Sequence, residues 1–166
     1  RVESMSFFAA SQDDQLCIET DKGAWLVYPR GTDPHDPQTQ MAWMYAGFAL
    51  KQANVKSPLV DFQITWSDMA QMDRVWMRYV IRRICRAIGR DPDRDVLAAS
   101  HEPDIHGPST KDGKPIQPHA HVAVRTCNPD GSVWRCQNLH LVVQRELEAI
   151  NAQRGWDALS TAAVAK

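Results

Sequence analysis

PHAHVAVRT, residues Pro118 to Thr126, sets two histidines two positions apart inside an alternating run. In an extended chain, residues i and i+2 share a face and lie about 7 Å apart. His119 and His121 then face one way, while Ala120, Val122 and Val124 face the other and suit a core. The pattern predicts a strand with one buried face and one face able to carry ligands. Asp95 to His101, upstream, reads as a second strand, with Leu97 and Ala99 on the face of His101. Between the two runs, IHGPSTKDGKPIQ (Ile105 to Gln117) is polar and rich in turn residues, the composition of an extended hairpin tip. Pairing through that hairpin brings His101 beside His119 and His121. Three imidazoles would make an open metal site, its remaining positions left for water or phosphate oxygens. A lone H-x-H is as readily an ordinary core or surface pair; the third histidine and the filled opposite face favour the metal. His35, His106 and His140 lack such company and read as loop or helix-surface residues.

Outward from this pair, Leu59 to Trp66 alternates in the same way. Val60, Phe62, Ile64 and Trp66 face one side, and Asp61, Gln63 and Thr65 the other. Ser67-Asp68 reads as the cap of a long helix running to about Ile88 and closed by Gly89. Met77, Val80, Ile81, Ile84 and Ile88 form its apolar stripe. Arg78, Arg82 and Arg86 recur at four-residue spacing on another face. That row, with Arg74 and Arg83 nearby, reads as a solvated face balanced by Asp68, Asp73, Asp91, Asp93 and Asp95, or as a track for a DNA backbone. Toward the N-terminus, Arg1 to Ala10 reads as a strand. Leu16 to Glu19 and Ala24 to Tyr28 are β-prone around a turn at Asp21-Lys22-Gly23. Pro29 to Pro37 is a loop, and Gln38 to Gln52 is helical by its apolar spacing. Asn128 to Gly131 is a second turn, and Leu139 to Arg154 a final amphipathic helix. Strands and helices in this order predict an α+β domain over residues 1–158, an antiparallel sheet with helices packed on it, followed by a tail at 159–166.

The bulk numbers are compatible. At 166 residues, 43% apolar and 23% charged, the chain suits one domain with a real core. The six tryptophans argue for a well-filled one. No apolar run is long enough to span a membrane, and no secretory leader is visible. The net charge of -1 excludes a wholly basic nucleic-acid binder but leaves room for a local basic surface. Cys17, Cys85, Cys127 and Cys136 form no C-x-x-C pair and read as reduced thiols of a cytoplasmic protein. A start on Arg1 rather than Met predicts a piece of a longer protein.

NVKSPLVDFQITWSD (Asn54 to Asp68), the long helix after it, SHEPD (Ser100 to Asp104) and PHAHVAVRTCNPDG (Pro118 to Gly131) stand in the order of three motif regions. Together with the closing helix QRELEAINAQRGW, they resemble the relaxases, or mobilisation proteins, of conjugative plasmids, within the H-u-H endonuclease family. The resemblance covers about two thirds of the chain. It implies a palm-like sandwich in a bacterial cytoplasmic protein. It also implies a divalent metal (Mg or Mn, with Zn or Ni able to replace it) on His101, His119 and His121. The substrate implied is single-stranded DNA at an origin of transfer, the partners accessory relaxosome proteins and a type IV secretion coupling protein. A tyrosine would attack the scissile phosphate, leaving a 5′ phosphotyrosine and a free 3′ hydroxyl. Thr65 matches the hydroxyl residue of the second motif.

The chain departs from the family pattern in four places. The family acid falls two residues after the first histidine, where Pro103 stands, so Glu102 and Asp104 on either side are the candidates to orient the site. An asparagine common four residues after the second histidine is here Arg125. Alternation puts it on the histidine face, to hold a phosphate bidentately or to snorkel at the sheet edge. The stretch from Ile105 to Gln117 is longer than the usual spacing. The family tyrosine lies upstream of the segment resembling Arg1 to Ser11. Of the three tyrosines here, Tyr28 is the nearest to a candidate, while Tyr45 and Tyr79 read as helix packing. Two other readings stand beside this one. One is a relaxase-like domain without the tyrosine, acting as a DNA-binding or interaction module. The other is an unrelated H-x-H metalloenzyme of the double-stranded β-helix kind, which would need many short strands and few helices.

Overall fold

A computed structural model describes residues 2–10, 23–33, 36, 38–39, 42–43, 59–66, 73–101 and 119–155, with 2–10, 23–25 and 101 described by backbone alone. Its sheet has five strands: β1 (Val2–Ala10), β2 (Gly23–Val27), β3 (Leu59–Trp66), β4 (Val96–His101) and β5 (His119–Arg125). Their spatial order is β1-β3-β5-β4-β2, and every neighbouring pair is antiparallel. Two helices accompany it, α1 (Arg74–Ala87) and α2 (Leu139–Gln153). The α+β class with helices on an antiparallel sheet is therefore as expected.

Alternation explains the layers. Phe62, Ile64 and Trp66 of β3, Val96 and Ala98 of β4, and Ala120, Val122 and Val124 of β5 are all buried on one face. That face meets Met77, Val80, Ile81, Ile84 and Cys85 of α1 and Val143, Leu147 and Ile150 of α2. Side chains of this size contribute about 1.5–3 kcal/mol each when fully buried, so this seam holds most of the fold's stability. The helices are pinned to one another at the surface, where Arg83 Nε donates to Glu146 Oε2 at 2.6 Å and the Tyr79 hydroxyl lies 3.3 Å from Gln153 Oε1.

Helix α1 opens later than the sequence suggests. Its N-cap is Asp73, whose carboxylate accepts from the Val75 and Trp76 amides; Ser67 and Asp68 lie outside the described residues. Its end is as expected. Gly89 takes φ +83, with its N–H on the Arg86 carbonyl and the Arg90 N–H on the Cys85 carbonyl, a Schellman closure. Gly23 is likewise not a turn residue but the first residue of β2, paired with His101. The partner run Leu16 to Glu19 lies outside the described residues, as do most of the predicted helix from Gln38 to Gln52 and the tail. The Asn128–Gly131 turn is present. It is closed by Gly131 N–H on the Asn128 carbonyl at 2.9 Å and by the Cys127–Val133 bridge.

Candidate functional site

The face of the sheet away from the helices carries the histidines. β5 sits between β3 and β4, so each of its residues has a partner on both sides. His119 lies opposite Thr65 on β3 and opposite His101 on β4; His121 lies opposite Gln63 and Ala99. Directly paired residues of an antiparallel ladder share a face, so positions 65, 101, 119 and 121 fall together. His119 is buried and His121 half-buried, and their ring centroids are 5.1 Å apart at an interplanar angle of 80°. A ligand nitrogen about 2.1 Å from an ion puts its ring centroid roughly 3.2 Å away, so two adjacent ligands have centroids about 4.6–5.3 Å apart. The observed pair fits that test, and imidazole donors suit a borderline divalent ion. Among the described residues, whose side chains do not include that of His101, no group of three His, Cys, Asp or Glu is gathered for a metal.

Thr65 is nearly buried beside His119, and the Gln63 amide donates to its hydroxyl at 3.5 Å. Asp61 is a residue the sequence reading placed on this face without giving it a role. It is 3% exposed, opposite Ala123 and two positions along β3 from the partner of His121. A buried carboxylate on the same face as ligating histidines is the kind of group that orients them elsewhere. Its signal in the sequence is its alternation with Gln63 and Thr65.

Other expected site residues stand apart. Arg125 shares the histidine face but lies four residues beyond His121, about 13 Å at the rise of a strand, at the end paired with Leu59. Tyr28 is exposed and follows Val27, while Gly23, at the other end of β2, is the residue paired with His101. Five residues of strand separate Tyr28 from that register, roughly 16 Å. Tyr79 belongs to the helical layer and stacks on Trp76 at 4.7 Å. Arg78 and Arg82 are also in that layer. Arg78 Nε donates to the Leu26 carbonyl at 2.8 Å, and Arg82 pairs with Asp93 at 3.0 Å. Glu102, Asp104, Tyr45, His35 and His106 lie outside the described residues; His140 is half-buried on α2.

The end of β5 beyond Ala123 has its own electrostatics. Asp95, fully buried, takes Arg94 at 2.9 Å and Arg90 at 3.8 Å. Burial pulls the Arg90 and Arg125 guanidinium groups below their ordinary range, with Asp95 opposing. The Arg125 guanidinium lies 4.8 Å over the ring of Trp43, whose indole N–H donates to the Arg94 carbonyl. Trp43 in turn closes a small cluster with Leu59, Leu97, Ala99 and Ala123 on the histidine face. No described helix is long and apolar enough to cross a membrane. No protein-family model matches the chain, and neither a curated protein nor a solved structure matches it.

Proposed function

We propose that the chain is a relaxase-type DNA nicking domain that cleaves one strand by metal-assisted transesterification. The observation that carries this is the register: β5 holds His119 and His121 on one face, with position 101 across one ladder and Thr65 across the other. A divalent ion on His101, His119 and His121 would neutralise charge on the non-bridging oxygens of the scissile phosphate. The chain's own part is positioning. β3 and β4 flank β5 and hold the two imidazoles rigidly, and Thr65 offers a hydroxyl to a phosphate oxygen beside His119. The closely packed cluster of Leu97, Ala99 and Ala123 backs the site away from water. In the transfer itself a tyrosine oxygen bonds to phosphorus and the bond to the 3′ oxygen breaks. The phenolic proton is passed on overall to that leaving oxygen, and a 5′ phosphotyrosine remains.

Tyr28 lies five strand residues from the histidine register and Tyr79 in the helical layer, so the nucleophile on this reading comes from outside the described residues. The same observation favours a second reading, a DNA-binding module without a nucleophile. Two assays separate them, both run with the intact protein and an origin-bearing substrate. In the first, His121→Ala abolishes nicking of supercoiled plasmid while most DNA binding persists, because phosphate contacts elsewhere supply it; wild-type rates in that variant or in excess chelator would refute the proposal. In the second, a denaturing gel with labelled oligonucleotide and Mg²⁺ or Mn²⁺ shows a covalent band for a relaxase and none for a binding module.

A further inference from the structure

Two guanidinium groups converge on one buried carboxylate at the end of β5 far from the histidines, and a third lies nearby. Arg90 and Arg94 both reach Asp95. Arg125 is tied to the same residue only through its backbone, its N–H donating to the Asp95 carbonyl at 2.9 Å. Among the described residues no carboxylate lies within ion-pair distance of the Arg125 guanidinium, and its buried Nε has no hydrogen-bond partner. A half-buried cation left in that state costs free energy, and a contact with one indole returns only about 0.5–2 kcal/mol of it. In front of it opens a hollow of about 340 Å³, lined by Arg30, Trp43, Asp91, Asp93, Arg94 and Arg125 with Pro29. Its two acids are engaged: Asp93 by Arg82, and Asp91 by the Asp93 amide. Arg94 is shared with Asp95 and half-exposed, and Arg30 is exposed on the rim. The three guanidinium groups of its lining outnumber the two carboxylates, so the hollow offers a surplus of positive charge and a planar donor held over an aromatic ring.

We infer that this hollow is a phosphate-binding subsite, with the Arg125 guanidinium, held over the ring of Trp43, gripping two oxygens of a phosphate group and Arg30 and Arg94 completing the rim. A fork of parallel N–H donors matches two phosphate oxygens in a way a single ammonium cannot. The phosphate is either a diester of a nucleic-acid strand or a free phosphate. Only the first rests on the nicking proposal, as a neighbouring phosphate of the same strand.

The experiment is calorimetric titration of the full chain in chelator, which silences any metal on the histidines. The probes are pyrophosphate, a deoxymononucleotide and a single-stranded oligonucleotide. Pyrophosphate is expected to bind. Arg125→Gln should weaken it about tenfold or more, as loss of a charge-assisted pair of hydrogen bonds does, and Arg125→Lys should recover only part. Melting of Arg125→Gln should be unchanged or higher, because an uncompensated charge has been removed. Oligonucleotide affinity that falls with Arg125→Gln, with a salt slope shallower by about one, identifies the diester. An oligonucleotide no tighter than the mononucleotide identifies free phosphate. No pyrophosphate binding, or equal affinity in Arg125→Gln, overturns the inference. A fall in melting temperature without loss of affinity overturns it too, by making Arg125 merely a cover for Trp43.

Discussion

Replacing Asp95 with alanine takes away the one buried carboxylate among Arg90, Arg94 and Arg125. Arg90, 4% exposed on its side chain, would remain charged in the interior, keeping its hydrogen bonds to the Arg125 carbonyl and to Asn128. Breaking a buried pair from one side costs about 3–5 kcal/mol. The retained hydrogen bonds put Arg90 at the lower end of that range. Arg94 is nearly half exposed and returns to water at a cost of about 0–1 kcal/mol. The Asp91 amide loses its acceptor Oδ2, worth about 1 kcal/mol where water can replace it. The total is about 3–5 kcal/mol, or a fall of roughly 6–20 °C in melting temperature for a chain of this size. Urea unfolding followed by tryptophan fluorescence measures it. Asp95→Asn keeps the volume and an acceptor, so it isolates the charge and should still lose about 2 kcal/mol or more. Converting the pair together, Asp95→Leu with Arg90→Met, should recover most of the loss, because no unpaired charge is left inside. An asparagine variant as stable as the wild type would show that the carboxylate charge does nothing here.

Gly89→Ala should destabilise by about 1–2 kcal/mol through left-handed backbone strain alone, since an added methyl would meet Trp134 only at an ordinary 3.6 Å. A melting curve superimposable on wild type would refute that strain. The hydrogen bond from Arg82 holds the Asp93 carboxyl below the usual carboxylate range. A depressed folded pKa gives stability that is present above the unfolded pKa and lost as pH falls through the folded one. Arg82→Met should therefore shrink the acid-side loss of stability, by less than about 1 kcal/mol because Asp93 is 38% exposed; an unchanged acid limb in pH-dependent unfolding contradicts it. Burial pushes the Cys85 thiol up to about 12. At pH 8 an alkylating reagent should label half-buried Cys136 first and Cys85 only on unfolding, and mass spectrometry showing equal native rates would contradict this.

Much of the central sheet could be read from alternation alone. Phe62, Ile64 and Trp66 against Gln63 and Thr65, and Val122 and Val124 against His121, obey a period of two that admits only one buried face. The pairing of His101 with His119 followed from the expectation that two strands neighbouring in sequence pair antiparallel. The 3.6-residue stripe from Met77 to Ile88 was equally plain. The start of α1 was not, because Ser67-Asp68 and Asp73 are both chemically able caps and local chemistry does not choose between them. Position along a strand was also hidden. Parity puts Arg125 on the histidine face, yet it says nothing of the 13 Å or so from His121. The contact of Arg125 with the ring of Trp43, 82 residues away in sequence, has no local signal, and neither do the outer places of β1 and β2.

Those outer places set a timetable for synthesis. The strands made first wait through long stretches of chain for their partners. Ala10 of β1 waits 49 residues for Leu59, and Gly23 of β2 waits 78 for His101. At a translation rate of about 5–20 residues per second, β2 spends roughly 4–16 s without its neighbour, before counting the length hidden in the ribosome. β4 and β5, by contrast, need only the stretch between them. The nascent chain can thus form the pairs β1–β3 and then β2–β4 before the central β5 exists to join them, and until those partners emerge β1 and β2 offer unpaired backbone to any strand nearby. Chaperone capture on a stalled ribosome should accordingly fall in two steps, once when β3 emerges and again when β4 does.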